Sequence, residues 1–174
     1  MSETPDKGLA EILAALAEFH AGLDEPYKMT PAGMWACSKS EEVYELLGQL
    51  DLGAYRRFVD LGSGDGRAVL IASLFLPATG IEADPGLVEA SQDMARRLGL
   101  DRAEFVCADC RQVDLAPYDL LFVYPDKPLD WLVKLLPKDW PGRLLVYGPY
   151  FQPPGLTHLK TIYAGQTMCT LWGR

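Results

Sequence analysis

Apolar positions along the chain change period several times. Leu9, Ile12, Leu13, Leu16, Phe19 and Leu23 recur at three- and four-residue spacing, which predicts an amphipathic helix that docks on something. Thr4-Pro5-Asp6 supplies a capping residue, a helix-compatible proline and an acidic first turn. The next stretch, DEPYKMTPAGMWACS, is irregular yet carries Tyr27, Met29, Met34 and Trp35. An apolar connection of that kind reads as a packed cover or a lid. Ser38 with Glu41 three residues on forms a capping box before Val43, Tyr44, Leu46, Leu47 and Leu50.

From residue 56 strand and helix patterns alternate. RRFVDLG, ATGIEAD, AEFVCAD, YDLLFVYP and GRLLVYGP read as strands. Helices are predicted over 67–76, stopped at Pro77, over 86–98, closed by Gly99, and over 129–136. The strand runs are apolar throughout, as a parallel sheet covered on both faces requires. LTHLKTIYA and TMCTLWGR lie too close for a crossover helix and suit an antiparallel hairpin around Gly165. The expected fold is α/β, a doubly wound, mostly parallel seven-stranded sheet with a C-terminal antiparallel hairpin and N-terminal helices. Residues 1–37 form the helix and covering segment, and 38–174 the main domain.

The 174 residues suit one domain with a short appendage, and the net charge of −8 shows no general basic footprint. A nucleic-acid partner is therefore not expected, and Arg96, Arg97, Arg102 and Arg111 read as solvated charges. The longest uncharged run, residues 68–81, is shorter than the ~20 residues of a membrane span and is interrupted by Pro77. Four cysteines make no dense disulfide framework, and the start has no signal-like apolar core. The expectation is a cytoplasmic protein with reduced thiols, a monomer or weak dimer.

The chemistry concentrates at FVDLGSGDGRAVLIAS. Three alternating glycines, Gly62, Gly64 and Gly66, follow a buried strand and open a helix. A bare turn there admits a nucleotide phosphate, a nucleoside sulfonium, or no ligand at all. The dinucleotide fingerprint needs glycine at its sixth position, where this chain has Arg67, and Asp65 would meet a pyrophosphate. NAD is therefore disfavoured. Glu82, 22 residues after Asp60 and at the end of the next strand, suits both hydroxyls of a ribose. Acids before, within and beyond the turn suit a ligand with a cationic ammonium and a cationic sulfonium, which is S-adenosylmethionine (SAM).

VDLGSGDGR resembles the first motif, and GIEADPGLVEAS the second, of the class I SAM-dependent methyltransferases. With PYKMTPAGMW before a helix, the combination is similar to a small-methyltransferase group that includes protein-lysine methyltransferases. The resemblance implies that Asp60, Gly62, Ser63, Gly64 and Gly66 hold the methionine end. It also implies that Glu82 holds the ribose, that Ala83 packs near adenine, and that Asp109, beside Cys110, accepts the adenine amino group.

The acceptor-facing position in such a fold is the end of the fourth main-sheet strand, VYPDK. Relatives that methylate bases or amides carry an acid or Asn with two prolines and an aromatic there. Tyr124, Pro125, Asp126 and Lys127 depart from that pattern, so an amine, on a protein lysine or a small molecule, is the expected acceptor. Tyr124 would face the sulfonium or position the amine, and Asp126 would act as base or anchor; these are the candidate catalytic residues. Trp35, Tyr147, Tyr150 and Phe151 are candidates for an aromatic wall. Cys107 and Cys110 have zinc-like spacing but no second pair or histidines nearby in sequence, so no metal is expected. Cys107 is read instead as a small hydrophobe ending a buried strand. A non-catalytic module that binds SAM or its demethylated product stands as the alternative to an enzyme.

Overall fold

The computed structural model of the chain describes residues 5–23, 27–30 and 33–174. Helix α1 (Pro5–Ala21) is followed by a two-stranded antiparallel ribbon, β1 (Tyr27–Thr30) and β2 (Gly33–Ala36), then by α2 (Ser40–Gly48). The main sheet takes β3 (Phe58–Leu61), β4 (Ala78–Glu82), β5 (Ala103–Cys107), β6 (Leu120–Val123), β7 (Arg143–Tyr147), β8 (Thr157–Ala164) and β9 (Thr167–Gly173). Between them lie α3 (Arg67–Ala72), α4 (Pro85–Arg97) and α5 (Asp130–Leu135).

The strand order is β5-β4-β3-β6-β7-β9-β8, parallel from β5 through β7, with β9 antiparallel to both β7 and β8. β3 is flanked by β4 on one side and β6 on the other, so the order reverses beside it and a crevice opens at its carboxyl end. Alternate residues of one strand feed different cores. Phe58 joins Phe122, Leu145 and helices α1 to α4, whereas Val59 and Leu61 join Val123, Val146 and α5. Phe58 is fully buried and meets Phe122 at 6.0 Å between ring centres. Burying a ring of that size is worth about 1.5–3 kcal/mol.

The expected α/β sheet with its terminal hairpin is the observed one, and Gly165 makes the hairpin turn at φ 56°. Three local expectations need correction. The stretch after α1 is a strand ribbon in register Tyr27↔Ala36 to Thr30↔Gly33, where irregular chain was expected. Main-chain pairing orders this segment, which an irregular side-chain pattern does not reveal. Helix α2 starts at Ser40 with Lys39 at the cap position and no side-chain cap bond. The capping box at Ser38 and Glu41 therefore does not form, and the Ser38 carbonyl accepts from the Arg67 guanidinium at 2.6 Å. Strand β5 lies at the sheet edge, not in its centre, so Cys107 is exposed. Thr4, part of the expected α1 cap, lies outside the described residues, as do the side chains of Tyr27, Met29, Met34 and Trp35.

Candidate functional site

The glycine turn leaves β3 with Gly62, Gly64 and Gly66 at φ 84°, 54° and 78°, all in the left-handed region that penalises a Cβ. Two of these glycines do different things. A Cβ on Gly66 would stand 2.7 Å from Phe105 and from Ser91 Oγ, so this position lets α3 pack tightly onto the sheet. A Cβ on Gly62 would meet nothing within 4 Å, so this position keeps the crevice open. Ser63 Oγ is buried without a partner and would be 2.6 Å from a Cβ at Gly80, so the hydroxyl faces the β4 corner.

Asp60 and Glu82 are 5% and 6% exposed. Burial, then the charges of Glu82 and Asp65, push the Asp60 carboxyl well above its ordinary range. Glu82 accepts from the Gly64 amide at 2.9 Å and from the Asp84 amide at 2.9 Å. Both oxygens are thus fixed by the backbone of the turn and of the α4 entry, while each keeps a further lone pair. An open crevice walled by two buried acids fits a ligand with an ammonium, a sulfonium and a ribose. It is a poor match for a pyrophosphate.

Asp65 does not join that wall. It is 1% exposed and is held by the Arg67 guanidinium and by His20 Nε2, the latter at 2.8 Å. The Arg67 guanidinium also lies 2.8 Å from this His20 nitrogen, which accepts nothing from it while donating to Asp65. The expectation that all three acids face a cationic ligand is corrected on this point: Asp65 turns inward and clips α1 to the glycine turn, while Arg67 holds residue 38. Hydrogen bonds from His20 and Arg67 overcome the effect of burial, which would raise the Asp65 pKa, and hold it below the ordinary carboxylate value. Cys37 Sγ completes a His20, Cys37 and Asp65 group whose ligand atoms lie within 4.8 Å of one another. The Arg67 guanidinium already pairs with Asp65 and lies against His20 Nε2, and burial pushes the Cys37 thiol up to about 12. That chemistry suits a protein ion cluster, not a metal.

Beyond β4, Ala83 is partly buried and its carbonyl accepts from Cys107 Sγ at 3.9 Å. Asp109 caps the short 3-10 turn Cys110–Gln112, accepting from the Arg111 amide at 2.9 Å and from its guanidinium at 2.7 Å. Hydrogen bonds from Arg111 keep the Asp109 carboxyl below its usual value. The capping role is thus built, and Arg111 is the solvated charge expected, 61% exposed while paired with Asp109. Cys110 is half-buried, and burial raises its thiol to about 11.

At the carboxyl end of β6, Tyr124 follows the strand and is 44% exposed. Asp126 lies beside Lys127, whose Nζ is 3.6 Å from its carboxylate. The aromatic wall does not assemble as expected. Tyr147 is 4% exposed and sits beneath Tyr124, Tyr150 is 82% exposed, and Phe151 packs into the α5-side core. Sequence reasoning missed Glu42, which is 7% exposed and accepts from the Tyr147 hydroxyl at 2.5 Å and from Lys39 Nζ at 2.9 Å. The available signal was its position, one residue before Val43 and four before Leu46, on the apolar face of α2.

A sheet in this order, with a glycine turn and an acid at each of two adjoining strand ends, defines a class I SAM-dependent methyltransferase, and SAM is its methyl donor. The family model for protein-L-isoaspartate(D-aspartate) O-methyltransferase matches residues 24–139, and the chain belongs to that family. Among solved structures it resembles an RNA methyltransferase from Salinibacter ruber in complex with S-adenosyl-L-homocysteine. That match has a TM-score of 0.64 at 23% identity, covering 79% of this chain and 92% of the other. The putative methyltransferase yhhF from Escherichia coli gives 0.60 at 20% identity, over 79% and 88% of the two chains. A mutant of MtNAS in complex with SAM gives 0.63 at 16% identity, over 96% and 73%. At these identities the likeness is one of fold. No curated protein matches the chain, and a nucleic-acid acceptor stays open on these comparisons. Among the described residues no helix is long and apolar enough to cross a membrane.

Proposed function

We propose that the chain transfers the methyl group of SAM to an amine, on a protein lysine or a small molecule, as in the small protein-lysine methyltransferase group. The observation that carries this reading is the charge of the acceptor side. Asp126 follows half-exposed Tyr124 by two residues in the chain, and the Lys127 ammonium lies 3.6 Å from its carboxylate. The Asp126 carboxylate attracts an ammonium and repels a carboxylate acceptor, and it takes the ammonium's proton before attack. The net charge of −8 also disfavours RNA.

SAM supplies an electrophilic methyl carbon on its sulfonium. The remaining work belongs to the chain. Asp60 and the Gly62–Gly66 turn hold the methionine end, with Ser63 packed in its corner, and Glu82 holds the ribose. Ala83, Asp109 and Cys110 border adenine, Tyr124 orients the amine, and Asp126 takes its proton before attack. Residues 1–37 supply the N-terminal helix and the segment that covers the donor, over the 38–174 domain. The same reading places the protein in the cytoplasm, since four cysteines make no dense disulfide framework.

The family match favours one other acceptor, the carboxyl group named in the family's own description. Tritiated SAM and whole lysate separate the two. A carboxyl methyl ester releases volatile methanol in mild base, and a methylated amine does not. Base-stable label on protein or small amines is the expected result. Quantitative release of the label would overturn the amine reading.

A further inference from the structure

We propose that Glu42 and Tyr147 are positioning residues for the methyl acceptor, acting through Tyr124; this rests on the reading that Tyr124 borders the acceptor. Strands β6 and β7 run parallel in register, ending at Val123↔Val146, so Tyr124 and Tyr147 leave the sheet side by side. Their rings meet edge to face at 4.9 Å and 70°. The upper ring, Tyr124, is half-exposed and takes its orientation from the one beneath it.

Tyr147 is fixed in turn by a group that no sheet needs. Its hydroxyl donates to Glu42 Oε2 at 2.5 Å and accepts from the Lys39 amide at 3.3 Å. Glu42 Oε1 accepts from Lys39 Nζ at 2.9 Å, and Thr167 adds a further hydrogen bond. Burial would raise the Glu42 pKa, but bonds from Thr167, Tyr147 and Lys39 outweigh it and bring it to about 2, so the group is an anion at neutral pH. The β8–β9 turn closes directly above it, because a Cβ on Gly165 would stand 2.9 Å from Glu42 Oε1. Four parts of the chain, α2, the segment before it, β7 and β9, thus converge on one buried carboxylate. A buried charge is costly, and an apolar pair would fill the same space without that cost. What the carboxylate adds is direction: as hydrogen-bond acceptor for the Tyr147 hydroxyl it sets the angle of the Tyr147 ring and, through it, that of Tyr124.

The test uses full-length protein with ring-13C-labelled tyrosine and S-adenosylhomocysteine bound, the Tyr124 signal being assigned by its loss in Tyr124→Phe. In Tyr147→Phe and Glu42→Ala the Tyr124 signal should shift and broaden while Tyr55 and Tyr118 stay in place. Glu42→Gln still accepts from the Tyr147 hydroxyl and should restore the wild-type signal. SAM affinity should be unchanged in all three. Tritium transfer to lysate protein at saturating SAM should fall in the first two by about tenfold, the scale of a small misplacement. An unmoved Tyr124 signal overturns the proposal, as does a change shared by every tyrosine together with lost SAM affinity. The premise has its own control: replacing S-adenosylhomocysteine with SAM should move the Tyr124 signal in wild type. A Tyr124 that follows Glu42 yet ignores the donor's methyl group refutes the acceptor reading, not the packing chain.

Discussion

Replacing Glu82 by glutamine removes one acceptor from a carboxylate with four lone-pair directions, two of them taken by the Gly64 and Asp84 amides. Whichever way the new amide turns, its NH2 group faces one of those backbone N–H donors. One bond to a charged group is lost, worth about 1.5–3 kcal/mol. The loss of the negative charge also relieves Asp60, whose carboxyl is pushed up partly by Glu82. The net cost to the free protein should therefore fall at the lower end, about 1.5 kcal/mol, or a melting point lower by roughly 3–6 °C in a chain of this size.

Donor affinity should suffer more. Two lone pairs of Glu82 remain for ribose hydroxyls, and glutamine leaves at most one while weakening it. With tenfold in affinity for each ~1.4 kcal/mol, the dissociation constant for S-adenosylhomocysteine should rise at least about tenfold. Titration calorimetry and a thermal melt on the same preparation separate the two roles. An unchanged dissociation constant with a lowered melting point would refute the ribose role and leave Glu82 as a strut of the turn. No change in either would refute both.

Asp60 predicts a pH dependence of opposite sign for the free and bound protein. Its pKa is raised in the folded state, so its stabilising contribution is present below the ordinary carboxylate range and is lost as pH climbs through the raised value. SAM favours the anion, so binding should tighten over that window and release a proton, read as a buffer-dependent enthalpy that vanishes in Asp60→Asn. His20→Ala removes the α1 end of the Asp65 clip and should lower the melting point by about 5 °C, given ~1.5–3 kcal/mol for a bond to a charged group; an unaltered melt would mean the clip is slack. Hydrogen exchange over residues 33–39 should slow on adding SAM if the ribbon covers the donor, and equal exchange with and without SAM would refute the cover.

The parts of the fold that could be read in advance are those whose residues interact with near neighbours in sequence. Apolar runs of strand length between helical periods give β3, β4, β6 and β7, and the close spacing of two runs around Gly165 gives the hairpin. Edge and centre are another matter. AEFVCAD looks as apolar as its neighbours, yet β5 pairs on one side only, and it carries Glu104, Val106 and Cys107 to solvent. The strand ribbon after α1 was hidden for a related reason: its order comes from cross-strand backbone bonds, to which hydrophobic periodicity is blind.

In the site the same division recurs with chemical consequences. Asp60, the glycines and Glu82 are legible because a short turn and a fixed strand-to-strand offset tie them together, whatever the rest of the chain does. Asp65 carried the same local signal and misled, since its partner His20 lies 45 residues away on a helix whose docking no motif records. Glu42 and Tyr147 are separated by 105 residues and meet only because β9 is laid against β7 and α2 packs beside β8. A buried carboxylate can persist only where several such distant donors converge on it, so its partners cannot be read from local sequence. The proposed donor half of the site is therefore local and visible, and the proposed acceptor half is tertiary. That asymmetry is why SAM follows from one short motif and the acid beyond it, while the acceptor requires an experiment on the base stability of the transferred methyl group.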